Sequence, residues 1–173
     1  MPSKYARVEI ERRFLLAGVP DGAEISAVHE IDDRYLDGTR LRLRRMARVG
    51  GGTQLKLTQK LPEHDGGARQ GALTTLYLSE AEHAAVARLP AAELRKSRLS
   101  IAPYGVDVFH GELEGLQLAE AEFATMQDAA ALVPAAFCHA EVTTDRRFTG
   151  GELVRASGEQ VRAWAREYAL ELR

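Results

Sequence analysis

Charged side chains recur at every second position in several short segments of this 173-residue chain. In VEIERRF near the start, Glu9, Glu11 and Arg13 would share one face of a β-strand, because side chains alternate between the two faces of a strand. Carboxylates are ligands for Mg²⁺ or Mn²⁺, whereas guanidinium and ammonium groups bind phosphate oxygens. Faces of both kinds brought together could hold a polyanion with a divalent metal ion.

Further segments repeat this alternation, mostly with charges of one sign. TRLRLRRM, QLKLTQK and RKSRLSI are basic on one face, while QLAEAEF is acidic. The candidate basic residues are Arg40, Arg42, Arg44, Lys56, Lys96 and Arg98, together with Arg13. The candidate acidic residues are Glu9, Glu11, Glu120, Glu122, Asp107 and Glu141.

Two arrangements would accommodate these faces. An ordinary sheet would point them to solvent. However, like charges at two-residue spacing repel, so separating the signs onto different strands costs stability unless something lies between them. A closed antiparallel barrel with its polar faces inside resolves this, because about eight strands enclose room for one small ligand and buried charges must be paired, hydrated or ligand-bound.

Turn-rich breaks and hydrophobic periodicity divide the chain into nine strands and three helices. The strands are predicted near 5–16, 27–36, 39–48, 53–61, 71–78, 95–102, 105–110, 117–124 and 138–144. The helices are predicted near 79–89, 125–132 and 157–172, the first opening with Ser79 and Glu82 at capping-box spacing. The expected fold is α+β, mainly β: a closed eight-stranded antiparallel barrel, or tunnel, with a charged lumen and helices packed outside.

Length and composition set the class of protein. We expect one domain over residues 1–173, since the chain suits one sizeable core. The net charge of −2 gives no bulk attraction to nucleic acid or to an anionic membrane, and no apolar run approaches the roughly 20 residues that cross a bilayer. The single cysteine, Cys138, suits a reducing cytoplasm. An apolar barrel flank could pair two chains as a homodimer.

The charged segments also resemble a known family. Glu9-x-Glu11-x-Arg13 resembles the E-x-E-x-K signature of the CYTH superfamily, the triphosphate tunnel metalloenzymes. RLRLR (40–44), LKL (55–57), RKSR (95–98), VDVFHGELEGLQLAEAEF (106–123) and AEVTTDRRFTGGEL (140–153) resemble its later motifs in the expected order. The resemblance therefore spans about residues 9 to 153.

This resemblance implies a hydrolase that cleaves triphosphates, either inorganic tripolyphosphate or a nucleoside triphosphate, with Mg²⁺ or Mn²⁺. The acidic residues would hold the metal, and the basic residues would bind phosphate oxygens. Glu11 and Arg13 are the expected catalytic residues. Arg13 replaces the family lysine, and a guanidinium that stays protonated is a poor base. LTTLYL (73–78) replaces an acidic pair of many members, which predicts fewer metal ligands.

Two other functions stay open at this point. Class IV adenylate cyclase shares the scaffold, but MPSKYARVE lacks the His-Phe pair that usually precedes the signature in that subgroup. A tunnel that binds polyphosphate or a nucleotide without turning it over is compatible with Arg13.

Overall fold

The structure, a computed structural model, describes residues 4–63 and 67–172. Nine strands follow the alternating segments. They are β1 (Arg7–Leu16), β2 (Ala27–Leu36), β3 (Leu41–Arg48), β4 (Thr53–Pro62), β5 (Arg69–Tyr77), β6 (Ala91–Ile101), β7 (Tyr104–Phe109), β8 (Gln117–Glu122) and β9 (Cys138–Glu141). The helices are α1 (Glu80–Val86), α2 (Met126–Ala131), α3 (Gly150–Leu153) and α4 (Gly158–Arg166).

Eight strands form a closed antiparallel barrel in the order β1-β5-β4-β3-β2-β6-β7-β8, with β8 pairing back onto β1. The first half of β1 pairs with β5, and its end pairs with β9, which adds a ninth strand beside the barrel. Gly71 allows a close approach where β5 meets both β1 and β4. Its φ is 130°, and a side chain there would collide with the Leu61 carbonyl oxygen. The predicted eight-stranded barrel is confirmed.

Apolar residues on the outer face of β1, β7 and β8 form one core cluster. Phe14, Val106 and Ala119 are buried there against the segment that follows α2, including Leu132 and Phe137. Arg12 holds this segment in place, since its Nη1 donates hydrogen bonds to the carbonyl oxygens of Ala129 (3.1 Å) and Leu132 (2.8 Å). The helix near 125–132 therefore covers the barrel exterior, as expected, and α1 lies against β4.

The C-terminal helices have a different position from the one expected. Leu15 and Leu118 continue the inward face of β1 and β8 beyond the last charged residue, and they pack with Leu153, Val161 and Ala165 of α3 and α4. These helices thus close one end of the barrel rather than covering its side. The reason is that the inward face turns apolar at this end, so the helices bury it.

The predicted helix over 157–172 ends earlier in the structure, at Arg166. Ala169 follows with a φ of 56°, a left-handed conformation that cannot continue an α-helix. The predicted capping box of α1 is present: Ser79 N–H donates to Glu82 Oε2 at 2.7 Å, and Glu82 N–H donates to Ser79 Oγ at 3.3 Å. Among the described residues, none of the helices has the length and apolar character needed to cross a membrane.

Candidate active site

A cavity of about 690 Å³ occupies the inside of the barrel. Its size is in the range of small-molecule sites. Its walls bring together eleven of the thirteen candidate residues: Glu9, Glu11, Arg13, Arg40, Arg42, Arg44, Lys56, Lys96, Arg98, Glu120 and Glu122. The alternation in the sequence therefore points inward for these strands.

The carboxylates occupy one wall, formed by the neighbouring strands β1 and β8. Glu11 stands opposite Glu122 in the strand register, and Arg13 stands opposite Glu120. Residues directly opposite in an antiparallel pair share a face, with Cβ atoms on the order of 5 Å apart. The pairing of two short strands thus concentrates four carboxylates, with Glu9, in one part of the lumen.

The cations occupy the remaining walls, on β3, β4 and β6. Arg44 stands opposite Lys56, and both face the cavity. Burial lowers the pKa of the Lys56 ammonium, and the positive charges of Arg44 and Arg42 lower it further. Cations crowded in this way gain from the arrival of an anion, because an anion removes their mutual repulsion.

The surroundings of Glu11 disfavour its ionised form. Its carboxylate is 4% exposed, and burial together with the charge of Glu120 raises its pKa to about 7, although Arg13 acts in the opposite direction. Burial also opposes ionisation of Glu120, but Arg98, Lys96 and Arg13 outweigh it and hold the pKa of Glu120 well below its usual value. The two carboxylates therefore differ: Glu120 is held ionised by its cations, whereas burial and the neighbouring charge of Glu120 disfavour ionisation of Glu11.

Arg13 links the carboxylates of the two acidic strands. Its Nη2 bonds to Glu11, and its Nε donates to Glu120 Oε1 at 3.2 Å. Burial disfavours its charge, but Glu11 and Glu120 raise its pKa, so it stays protonated. Its Nη1 is buried without a hydrogen-bond partner among the described residues. Arg13 is thus a fixed cation that stays protonated, and it cannot act as a base.

Asp107 and Glu141 are the two candidates that the structure does not bring into this cavity. Both oxygens of Asp107 accept hydrogen bonds from Arg98 at 2.6 Å, and Lys96 bonds to the same carboxylate. Asp107 is fully buried beneath the cavity surface and does not line the cavity.

The expectation that Glu141 faces the lumen is corrected by the register of β9. Glu141 pairs with Phe14, whose side chain lies in the outer cluster, so both point outward. Its carboxylate accepts hydrogen bonds from Arg12 at 2.9 and 2.6 Å and from Thr143 at 2.6 Å. Glu141 thus holds Arg12, which in turn fixes the segment over the barrel exterior.

The cavity residue Lys60 was absent from the candidate set, and Asp33, a residue behind the wall, was missed. Lys60 lines the cavity and bonds to Glu9 at 3.0 and 3.1 Å; it shares the face of Lys56, so alternation alone could have identified it. Asp33 lies behind the wall and binds Arg44. Its strand face mixes apolar and charged residues, Ile31 and Asp33, which hides the signal.

The acidic wall offers the type of ligand that Mg²⁺ and Mn²⁺ prefer, because all of its donors are carboxylate oxygens. Glu11 stands opposite Glu122 in the strand register, and burial together with the charge of Glu120 raises the pKa of Glu11. Within residues 4–63 and 67–172, no three such side chains stand close enough to hold a metal ion as they are, and Glu9, Glu11 and Glu120 each already have a basic partner. The residues fit a divalent ion in their chemistry, and binding requires these ion pairs to rearrange.

Comparisons with known proteins agree with this geometry. The chain is 36% identical over 152 residues to an inorganic triphosphatase of Nitrosomonas europaea, covering 81% of this chain and 92% of that protein. Its fold matches two crystal structures of NE1496, one called an inorganic triphosphatase and one a hypothetical protein, each with a TM-score of 0.57 over 86% of this chain. The structure called an inorganic triphosphatase is 26% identical to this chain, and the match covers 95% of its length. The structure called a hypothetical protein is 28% identical, and the match covers 99% of its length.

No protein-family model matches the chain. Identity above 30% over most of both chains, together with the charged barrel, nevertheless shows the relationship. The chain belongs to the family of the Nitrosomonas europaea inorganic triphosphatase, within the CYTH superfamily of triphosphate tunnel metalloenzymes.

Proposed function

We propose that this protein is a hydrolase of triphosphates, with inorganic tripolyphosphate as its first candidate substrate, and that it depends on Mg²⁺ or Mn²⁺. The observation that carries the proposal is the separation of charge inside the barrel: carboxylates on β1 and β8 face cations on β3, β4 and β6. The similarity to an inorganic triphosphatase supports the same substrate.

The cations would bind the triphosphate. Phosphoryl transfer needs mainly positioning and neutralisation of charge, and several fixed cations along the cavity supply both. Eleven basic and five acidic side chains line the cavity among the described residues, although the whole chain carries a net charge of −2. The proposed phosphate ligands are Arg40, Arg42, Arg44, Lys56, Lys96 and Arg98, with Lys60 added from the structure.

The carboxylates would hold the metal ion. The proposed set is Glu9, Glu11, Glu120 and Glu122. When bound there, a divalent ion supplies neutralisation of phosphate charge and Lewis-acid polarisation. Asp107 and Glu141 are left out because neither lines the cavity: Asp107 is buried behind Arg98 and Lys96, and Glu141 bonds to Arg12 on the barrel exterior.

Arg13 would act as a donor. In the reaction, water attacks the terminal phosphorus, the bridging P–O bond breaks, and diphosphate leaves while the water proton passes to solvent. Nη1 of Arg13 is buried without a partner among the described residues, so a shift of the side chain would let it donate a hydrogen bond to the phosphoryl group or to the leaving oxygen, where negative charge accumulates. Its permanent charge suits this stabilising role.

The test is a panel of tripolyphosphate, ATP and thiamine triphosphate with Mg²⁺, Mn²⁺ and Ca²⁺, scored for orthophosphate, pyrophosphate and cyclic nucleotide. We expect equal amounts of orthophosphate and pyrophosphate from tripolyphosphate, and none after chelation of the metal. Cyclic nucleotide from ATP would contradict the proposal in favour of a cyclase. Tight binding with no product under any metal would contradict it in favour of a binding protein.

A further inference from the structure

We propose that Asp33 and Asp107 are positioning residues that hold Arg44, Lys96 and Arg98 of the phosphate-binding wall in fixed directions without touching the substrate, with Arg42 as a further cation near Asp33. This inference rests on the proposed function, and it deepens it by assigning roles to two carboxylates behind the cavity surface. Neither aspartate lines the cavity, whereas all four of their partners do: Arg42, Arg44, Lys96 and Arg98.

Asp33 holds Arg44 of β3 and lies near Arg42. It is 1% exposed, and it stands opposite Arg44 in the pairing of β2 with β3. Arg44 Nε and Nη2 donate to its two oxygens at 2.6 Å each, and Arg42 Nε lies 3.8 Å from Oδ1. Two parallel hydrogen bonds fix the plane of a guanidinium, so Arg44 presents its remaining N–H groups to the cavity in one orientation.

Asp107 repeats this arrangement on another pair of strands. It is fully buried and stands opposite Arg98 in the pairing of β6 with β7. Arg98 Nε and Nη2 donate to its two oxygens at 2.6 Å each, and Lys96 Nζ bonds to Oδ2. The same bidentate contact, with a second cation beside it, therefore occurs twice at separate places in the wall.

The charges show that these aspartates are not there to neutralise the cavity. The two carboxylates contact four cations, which leaves a net charge of +2 for these six groups, and Glu120, which also bonds to Arg98, reduces it to +1. Burial opposes ionisation of Asp33, yet Arg44 and Arg42 lower its pKa to about 2, so its charge is permanent at neutral pH. The wall keeps its attraction for a polyanion while its guanidinium groups are held still.

Positioning and simple electrostatics predict opposite results when Asp33 loses its charge. Asp33→Asn adds one positive charge to the wall, so electrostatics alone predicts tighter binding of a polyanion. If Asp33 positions Arg44, binding weakens instead, because a misplaced phosphate ligand makes poorer contacts with the polyanion. Misplacement of this kind also lowers the reaction rate by up to about a hundredfold. The neighbouring Asp32→Asn is the matched control, since Asp32 is half exposed and lies 3.6 Å from Arg45 and 3.8 Å from Arg95.

The experiment measures the Kd of tripolyphosphate by calorimetry in EDTA, the kcat and KM with Mg²⁺, and the thermal midpoint of each variant. We expect Asp33→Asn to raise Kd and lower kcat/KM by about tenfold or more. Asp32→Asn should stay within about twofold of the wild type. Asp33→Glu keeps the charge but reaches one methylene further, so we expect a thermal midpoint near that of the wild type and a Kd raised about fivefold.

The inference is overturned if folded Asp33→Asn binds tripolyphosphate as tightly as the wild type or more tightly, or if Asp33→Glu matches the wild type in Kd and kcat/KM. Should Asp33→Asn fail to fold, the Glu variant and Asp107→Asn decide by the same Kd criterion. A wild type that binds tripolyphosphate without hydrolysing it contradicts the proposed function, while the Kd comparison still decides the positioning role. A wild type that does not bind it contradicts both.

Discussion

At the scale of a single residue, Glu11 lies in an unfavourable electrostatic environment that a bound ligand can relieve. It lies buried beside Glu120, and its pKa is raised from 4.5 to about 7. The folded protein therefore disfavours its ionised form at neutral pH, and a divalent ion on the wall would restore the balance. The same residue can thus lower the stability of the free protein and contribute to binding of the metal.

We predict that Glu11→Gln abolishes metal-dependent turnover without unfolding the protein. The loss in kcat should be at least about a hundredfold, because the metal loses a ligand. A group whose pKa is raised on folding costs stability as pH rises from 4.5 towards 7. The neutral variant avoids this cost, so its thermal midpoint in EDTA at pH 8 should equal or exceed that of the wild type.

The control is Glu80→Gln, which removes a carboxylate from an exposed position on α1 and should change neither property. Full activity in Glu11→Gln would show that Glu11 is not a metal ligand. A strongly lowered thermal midpoint would show that the Arg13 ion pair outweighs the cost of burial.

Asp33 gives a second residue prediction, on pH. Its folded pKa of about 2 lies below the ordinary 3.8, so its contribution to stability is present above pH 4 and is lost as pH falls through 2. The shift corresponds to about 2 kcal/mol. We expect urea unfolding to show a deficit for Asp33→Asn at pH 6 that narrows by this amount near pH 2. A deficit that does not depend on pH would contradict the ion-pair account.

At the scale of elements, helices α3 and α4 close the end of the barrel where its inward face becomes apolar. Gly150, the first residue of α3, packs against the Tyr35 hydroxyl, and a side chain there would collide with it. Arg146 and Arg155, on either side of α3, line the same cavity. The closing segment, α3 and α4, therefore packs in the core at the end of the barrel, and the residues around α3 also form part of the cavity wall.

We predict that Leu153→Ala lowers the free energy of unfolding by about 2–5 kcal/mol, as is typical of a buried leucine. Leu153 is 1% exposed in the cluster that joins α3 to the barrel. Leu76→Ala is the control, because Leu76 is 57% exposed and its loss should cost less than about 0.5 kcal/mol. Equal effects of the two substitutions in urea unfolding would show that packing of α3 against the end of the barrel does not stabilise the protein.

The elements also show what the sequence could predict. Alternation within strands, together with the separation of the two charge signs onto different strands, predicted the barrel and its charged interior, because the side-chain period of a strand is local. The face to which the Glu141 side chain points depends on its pairing with Phe14, which is 127 positions away in the chain. A local pattern cannot predict such a pairing. Val161 and Trp164 lie at helical spacing in the helix predicted near 157–172, but that spacing does not show that the helix packs against the end of the barrel.

At the scale of the whole molecule, a chain with a net charge of −2 surrounds a cavity whose described lining is strongly basic. The surface thus has no general attraction for polyanions, and a small triphosphate is drawn only to the enclosed site. Pairing of two chains, the cytoplasmic location and the single domain over 1–173 stay predictions. The family and the barrel are established, and the ligand sets within the cavity follow as proposals from its charge separation.

The most direct measurement of this account is a crystal structure of the wild type with Mn²⁺ and a non-hydrolysable imido analogue of tripolyphosphate. We predict density for the analogue inside the barrel, in contact with Arg42, Lys56 and Lys96. An anomalous manganese peak should lie beside Glu9, Glu11 and Glu120. A manganese peak at Glu141, or an analogue bound on the outside of the barrel, would contradict the claim that the segregated charges form the site of triphosphate hydrolysis.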